Sequence, residues 1–446
     1  MAMSSREAKF GRTGKSNIRW LMVFMAFLGT SINYIDRANL GVAVPFIQDD
    51  LNLGPAETGL ILGAFFWTHA AFQLPFGWLV DKVGARLMYA VAVVWWSVFT
   101  AATALARGFG SLVGFRLLLG VGEAGAYPAN AKVVSEWFPK QERALATSIF
   151  DSGARVGTAL SPPVVALIIA TFGWRTSFVV TGLLGLVWAV VWVALYRRPR
   201  EHPRASQEEI QYIEAGGARE VEKEEDEGRD PETVRWLDLF RYKTIWGMML
   251  GFFCLNFVIY FFITWFPDYL VEARGFDLLK LGTYGSIPAI VAIFGGYLGG
   301  FVSDYLVRRG MSLTAARKIC LVGGMLFASV IALAVLVPSA AWALALLSVS
   351  YASLTFAAAS VWSLPADVAP TPGHVASIGG IQNFASNLAG IVTTSFTGFM
   401  LLITGGSFVV PLLVAGGLAI VGALSYLLIV GRVEPLPTAG LRPASP

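Results

Sequence analysis

Residues 77–86 read Gly77-Trp-Leu-Val-Asp81-Lys-Val-Gly84-Ala-Arg86, and residues 300–309 read Gly300-Phe-Val-Ser-Asp304-Tyr-Leu-Val-Arg308-Arg309. The two aspartates stand 223 residues apart in a chain of 446, half its length. A motif that recurs at the half-chain offset marks an internal duplication. Two such halves suit a molecule that rocks around a central site. In each copy a carboxylate, Asp81 or Asp304, closes an apolar run beside basic residues, Arg86 or Arg308. This arrangement is expected to latch neighbouring helices at a membrane surface; alternatively, the charges only mark that surface.

Each motif sits between apolar runs of about 18 residues or more, the length that spans a bilayer as a helix. Six runs precede the chain's midpoint: 20–47, 56–80, 87–106, 109–136, 144–171 and 174–196. Six follow it: 244–270, 281–307, 317–337, 341–366, 375–403 and 407–430. Apolar residues make up 56% of the chain and charged ones 14%, against about 25% charged in a soluble domain. A mean hydropathy of +0.64 excludes a soluble multidomain protein and a disordered one. No run alternates with period two, which excludes a barrel. The expected fold is an all-α membrane protein with twelve transmembrane helices in two pseudo-symmetric six-helix bundles. Residues 1–19 form a polar arm, 20–196 the first bundle, 197–243 a central loop, 244–430 the second bundle and 431–446 a tail. The first run holds Asp36 and Arg37 and is followed by no small-residue cleavage site, so it is a retained helix and not a signal peptide.

On this topology 25 of the 33 Lys and Arg residues fall on one side and only Arg107, Arg175, Arg274 and Lys280 on the other. The positive-inside bias puts both termini and the central loop in the cytoplasm of a cell whose inner membrane holds the protein. Arg37, Lys132, Arg116 and Arg155 remain; Lys132 lies near a helix end and can snorkel, leaving three arginines at depth. The central loop is rich in Glu, most densely over residues 220–227. Within it Ser206 and Glu209 have capping-box spacing ahead of Ile210 and Ile213, which predicts a short surface helix in a solvated linker, with a docking site as the alternative.

The motif Gly-x-x-x-Asp-x-x-Gly-x-Arg between runs two and three, with twelve helices in two halves, resembles the major facilitator superfamily. Asn33-Tyr34-Ile35-Asp36-Arg37-Ala38-Asn39-Leu40 resembles its anion:cation symporter family. So do Phe115-Arg116-x3-Gly120-x-Gly122-Glu123-Ala-Gly125-Ala126-Tyr127-Pro128 and Trp137-Phe138-Pro139-x3-Arg143. That family includes bacterial importers of galactonate, glucarate and hexuronates and vesicular carriers of glutamate and sialic acid.

Ionisable groups at membrane depth are costly and are functional candidates by default. Arginine stays protonated and offers a planar donor fork that matches a carboxylate. Arg37 is therefore the first candidate for gripping a substrate anion, a role the resemblance also implies; Tyr34, from the same segment, joins it. Carboxylates in an apolar cavity can carry protons near neutral pH. Asp36 and Glu123 are the proton-coupling candidates, as in the similar galactonate importers, and Arg116 would hold one of them ionised. His69 is either a satisfied core residue or a substrate donor; the resemblance places it where sugar-acid importers have a cavity-facing Tyr and glutamate-type carriers a His. Asp151 and Arg155 stand four apart, which suffices for a mutual salt bridge. Sugar-acid importers usually have an uncharged residue at that second position, so the sharper reading is a second carboxylate anchor for a dianionic acid. In the second half Asn256, Tyr260, Trp362, Gln382 and Asn383 supply amides and aromatic faces suited to hydroxyl recognition, or simply pack helices. Trp362 and Asn383 match positions near which galactonate-like importers bind substrate. Ala359 and Val361 depart from the hydroxylated residues of those importers, which argues against a galactonate identity.

No Walker A motif or metal-ligand pattern appears. Transport would therefore be secondary, with the proton as coupling ion and no further cofactor or metal. Moving a monoanion into a negative-inside cell costs about 2.3 kcal/mol per 100 mV, which one co-transported proton cancels. The expected activity is proton-coupled symport of a sugar-acid-like carboxylate into the cell by alternating access, with a dicarboxylate or aromatic acid as alternatives. A drug antiporter is disfavoured because the fifth run ends in Ser161-Pro162-Pro163 where a Gly-Pro-x-x-Gly-Gly motif would be wanted. An enzyme is disfavoured because His69 has no triad or metal partners, and a nutrient sensor because no large signalling tail follows residue 430. The expected partners are the small anion, protons and the bilayer, with no nucleic acid and a functional monomer.

Overall fold

The computed structural model describes residues 16–139, 142–215, 236–370 and 375–437. Apolar runs in lipid must satisfy their own backbone groups, and here they do so as helices. The first half holds α1 (Ile18–Leu51), α2 (Pro55–Val83), α3 (Ala85–Leu105), α4 (Phe109–Trp137), α5 (Arg143–Phe172) and α6 (Trp174–Leu195). The second holds α7 (Lys243–Thr264), α8 (Leu278–Arg308), α9 (Leu313–Val335), α10 (Ala340–Val368), α11 (Val375–Ile403) and α12 (Val409–Ile429). Eleven of these are long and apolar enough to cross a membrane by composition alone. The twelfth, the 29-residue α2, carries Thr68, His69 and Gln73 in the middle of its apolar run.

Local chemistry sets the ends. Asn52 stops α1 in the left-handed region at φ 51°, and Pro55 starts α2 with the Glu57 carboxylate accepting from the Gly54 N–H at 2.9 Å. Gly84, at φ 95°, joins α2 to α3 by itself, a conformation that an L side chain rarely adopts. The α4 helix breaks between Glu123 and Ala126, so the buried carboxylate ends its first segment. Gly120 and Gly122 face α2 and α3 there: a methyl on Gly122 would meet Trp96 N at 2.9 Å.

The halves meet on the face away from the chain's N-terminus. A methyl on Gly41 of α1 would lie 2.6 Å from the Ile263 carbonyl of α7, and one on Gly59 of α2 would lie 2.6 Å from the Thr394 carbonyl of α11. Between α5 and α8, a methyl on Gly282 would lie 3.1 Å from Ala166. Behind these contacts Ala38, Val42, Phe262, Phe266, Pro288 and Tyr351 line a void of only about 20 Å³. Among the described residues one hydrogen bond joins the halves, from Asn387 of α11 to Gln73 of α2 at 3.4 Å. Nearer the N-terminal face Gly77 of α2 and Gly380 of α11 have nothing within 4 Å of the space a methyl would take. The halves are thus packed together toward the far face, and the space beside Gly77 and Gly380 is open toward the near one.

The predicted central helix is present over Gln207–Ala215, and it docks. Ser206 caps it, accepting from the Glu209 N–H at 3.2 Å. The Glu209 carboxylate, fully buried, turns to the start of α1, where it accepts from the Ile18 and Arg19 N–H groups and from the Arg19 guanidinium at 3.1 Å. The acidic stretch over residues 220–227 lies outside the described residues.

The near-face charges are arranged otherwise than as simple pairs. The Asp81 side chain lies outside the described residues. Arg86 donates to the Val193 carbonyl of α6 at 2.9 Å, and Asp304 and Arg308 are exposed, with no ion pair of their own among the described residues. An ion pair at this end of the second half joins Arg317 of α9 to Asp367 of α10, at 2.9 Å, while the same guanidinium donates to Ser303 of α8 at 2.8 Å.

Candidate functional site

The α1 and α4 helices bring four charged residues into the first half's core, all at most 5% exposed: Asp36, Arg37, Arg116 and Glu123. Arg37 grips Glu123 across the α1–α4 contact, with its NH2 group 2.8 Å and its Nε 3.3 Å from Oε2. The other carboxylate oxygen, Oε1, has no hydrogen-bond partner. Asn33, one turn before Arg37, accepts from the same NH2 group at 3.4 Å. Asp36 points about 100° away around the helix, toward Trp96 of α3 and Thr181 of α6. Both of its oxygens lack a hydrogen-bond partner.

Phe65 of α2 organises the rest, and nothing in the sequence singled it out. Its ring centroid lies 4.6 Å from the Arg37 guanidinium carbon and 5.1 Å from that of Arg116. His69 stacks on it with the rings 5.1 Å apart and 25° from parallel, leaving Nδ1 unpartnered. Buried cations packed on an aromatic face recover part of their lost hydration. Arg116 carries its Nε without a partner, so its charge is offset by the cluster as a whole.

Tyr34 extends the site toward α5. Its ring lies 4.7 Å from the Arg37 guanidinium carbon, and its hydroxyl is 3.5 Å from that of Tyr127 on α4. Tyr127 donates to Asp151 Oδ1 at 3.2 Å, and Asp151 Oδ2 lies 3.3 Å from Arg155 NH2. The i, i+4 spacing of Asp151 and Arg155 is thus realised as a salt bridge. The Arg155 Nε and guanidinium carbon lie 3.6 and 3.7 Å from the space a methyl on Gly296 would take, on α8 of the other half. Tyr127 is a second member that sequence reasoning passed over.

The second-half candidates divide. Tyr260 reaches the site: its ring meets Phe66 of α2 edge-on at 4.5 Å, and its hydroxyl lies 3.2 Å from Ser386 Oγ. Asn256 is committed within α7, donating to the Phe252 carbonyl at 2.9 Å. Gln382 is buried, with Nε2 3.4 Å from the Val361 carbonyl and Oε1 unpartnered. Trp362 is exposed and meets Phe252 edge-on, and Asn383 is half-buried one turn before Asn387. These last three are not among the groups packed on Phe65, which are Arg37, Arg116 and His69. No group of three or more His, Cys, Asp or Glu residues positioned to hold a metal occurs among the described residues.

Comparison with known proteins agrees with this architecture. The profile of the Major Facilitator Superfamily matches residues 26–394. The "Probable galactarate/D-glucarate transporter GudP" of Bacillus subtilis (strain 168) is 36% identical over 430 residues, 94% of this chain and 93% of that one. The "D-galactonate transporter" of Escherichia coli O6:H1 is 37% identical over 422 residues, 93% of this chain and 96% of that one. The fold also matches the crystal structure of a bacterial homolog of the human lysosomal transporter Spinster, inward-facing and unoccupied. There the TM-score is 0.72 and the identity 20%, over 93% of this chain and 98% of that one. The chain belongs to the major facilitator superfamily, as a multi-pass membrane transporter and not an enzyme.

Proposed function

We propose that this member of the superfamily imports a sugar-acid anion together with protons. It works as a monomer in the inner membrane, with both termini and the connector helix in the cytoplasm. The carrying observation is the buried Arg37–Glu123 pair, held through a single carboxylate oxygen at 2.8 Å beside the junction of the two halves. Arginine's fork is complementary to any carboxylate, so a substrate carboxylate can take the place of Glu123. The charge released on Glu123 must then be neutralised, because an unpaired carboxylate in this setting is costly. A proton does so. Asp36, with no donor to either oxygen, is the second group that gains by carrying one. The substrates named for the two relatives are an aldonate and the aldarates, both polyhydroxy carboxylates, which supports a sugar acid here. The charge asymmetry of the loops supports the sidedness: 25 basic residues against 4.

The test is uptake of labelled D-galactonate, D-galactarate and D-glucarate into proteoliposomes under an imposed pH gradient. Inside-alkaline vesicles are expected to accumulate at least one of these acids, and Glu123→Gln and Asp36→Asn to abolish gradient-driven accumulation. Uptake indifferent to the gradient, or gradient-driven uptake that survives both substitutions, would falsify the coupling scheme.

A further inference from the structure

Arg274 and Arg143 each spread their donors over two or more acceptors. Arg274 donates to the Tyr269 hydroxyl and to the Ala334, Val337 and Pro338 carbonyls, and Arg143 donates to the Phe138 and Ser135 carbonyls. Arg155 does not. Among the described residues its one ion-pair partner is Asp151, through a single 3.3 Å contact, and its side chain is 25% exposed midway along α5. The guanidinium lies against Gly296 of α8, with Thr355 of α10 beside the same space. It thus stands where the two halves meet, most of its donors unengaged and partly open. The partner it does have is also held by a second donor, because Tyr127 donates to the other Asp151 oxygen at 3.2 Å.

We propose that Arg155 is a second carboxylate anchor, with Asp151 as its exchangeable counter-ion, and that the protein therefore prefers acids with a carboxylate at each end. The proposal rests on the sugar-acid reading above and narrows it to aldarates. One carboxylate of the substrate takes Arg37 and the other takes Arg155. The Tyr34 and Tyr127 hydroxyls, 3.5 Å apart between the two guanidinium groups, face the polyol chain. Two arginine–carboxylate pairs then exchange partners in one binding event, Arg37 leaving Glu123 and Arg155 leaving Asp151. The Asp151 contact is the weaker of the two, at 3.3 Å against 2.8 Å, and yields first.

The experiment compares D-galactarate with D-galactonate, which share a six-carbon polyol and differ by the second carboxylate. Binding to the purified full-length protein is measured alongside uptake in proteoliposomes. The wild type is expected to bind galactarate more tightly. Arg155→Gln is expected to weaken galactarate binding roughly tenfold to a hundredfold, the range of a lost charge-assisted contact, and galactonate binding by a much smaller factor. Arg155→Lys should fall between, because it keeps the charge and loses the fork. Asp151→Asn decides the matter if Arg155→Gln fails to fold: removing the counter-ion should tighten galactarate binding. A wild type that prefers galactonate, an Arg155→Gln variant that weakens both acids equally or neither, or an Asp151→Asn variant with unchanged or weaker galactarate binding overturns the second anchor. A wild type that binds and transports neither acid overturns instead the sugar-acid reading on which it rests.

Discussion

At the scale of single residues, Arg37, His69 and Arg116 converge on one aromatic ring, that of Phe65. A carboxylate or guanidinium inside an apolar run stands out against 14% total charge, so Asp36, Arg37, Arg116, Glu123 and Arg155 announced themselves. Phe65 is one of 31 phenylalanines and carries no such signal, yet Arg37, Arg116 and His69 all pack on its ring. The same holds for Tyr127, whose role depends on a hydroxyl reaching α5. Cation–π contacts of desolvated groups contribute about 1–2 kcal/mol each. Phe65→Leu keeps the volume nearly constant and removes them, so substrate affinity is expected to fall roughly tenfold or more by calorimetric titration. Affinity within twofold of the wild type would show the ring to be mere packing. Arg37→Lys keeps the charge but loses the two-pronged contact with Glu123, and initial uptake rates should fall by about tenfold or more.

At the scale of elements, the runs predicted the helices to within a few residues, because length and hydropathy are properties of the segment itself. What they left out is how one element finishes another. The spacing of Ser206 and Glu209 predicts a capping box within one short helix. Only half of that box forms: Ser206 Oγ accepts from Glu209 N–H, while the Ser206 N–H donates to Ser16 at 2.8 Å and the Glu209 carboxylate caps α1. The partners lie about 190 residues away in the chain, where no local spacing rule can see them. The consequence is that the connector helix belongs to the first half as a structural part of it. Arg19 bridges Glu209 and Glu142, both at 3.1 Å, tying the starts of α1 and α5 to that helix. Removing one partner of a buried ion pair costs about 3–5 kcal/mol, and somewhat less here because Glu142 remains. Glu209→Ala is therefore expected to lower the melting temperature of the detergent-solubilised protein by several degrees. An unchanged melt would mean that the capping contacts are redundant with the rest of the first half.

At the scale of the molecule, the duplication read from residues 77–86 and 300–309 correctly gave two halves, but which face is shut depends on contacts between them. Several of those contacts are made by glycines, and at Gly41 and Gly59 the nearest partners are backbone carbonyls of the opposite half. On α11, Asn387 and Thr394 face α2, and Gly380 stands two turns before Asn387 on the same stripe. On α2 the matching stripe runs Gly59, Gly63, Gln73 and Gly77. The far-face end of this seam is closed on Gly59 and the near-face end, at Gly77 and Gly380, is open. Rocking that shuts one end must part the other, because packed interfaces switch between discrete arrangements and do not deform smoothly. A bulky residue at Gly59 would meet the Thr394 carbonyl and the Gly398 backbone, neither of which can swing aside. Gly59→Leu should therefore penalise the far-face-closed state and drive the near face shut. The native cysteines, Cys254 and Cys320, are both fully buried, so a cysteine introduced at exposed Gly380 can report alone. A penalty of about 3 kcal/mol would shift the two-state ratio by roughly a hundredfold. Labelling of Gly380→Cys by a membrane-impermeant maleimide from the N-terminal face should then slow at least tenfold when Gly59→Leu is added, on the same scale. Equal labelling rates in the two backgrounds would mean that the α2–α11 seam does not govern the near-face opening.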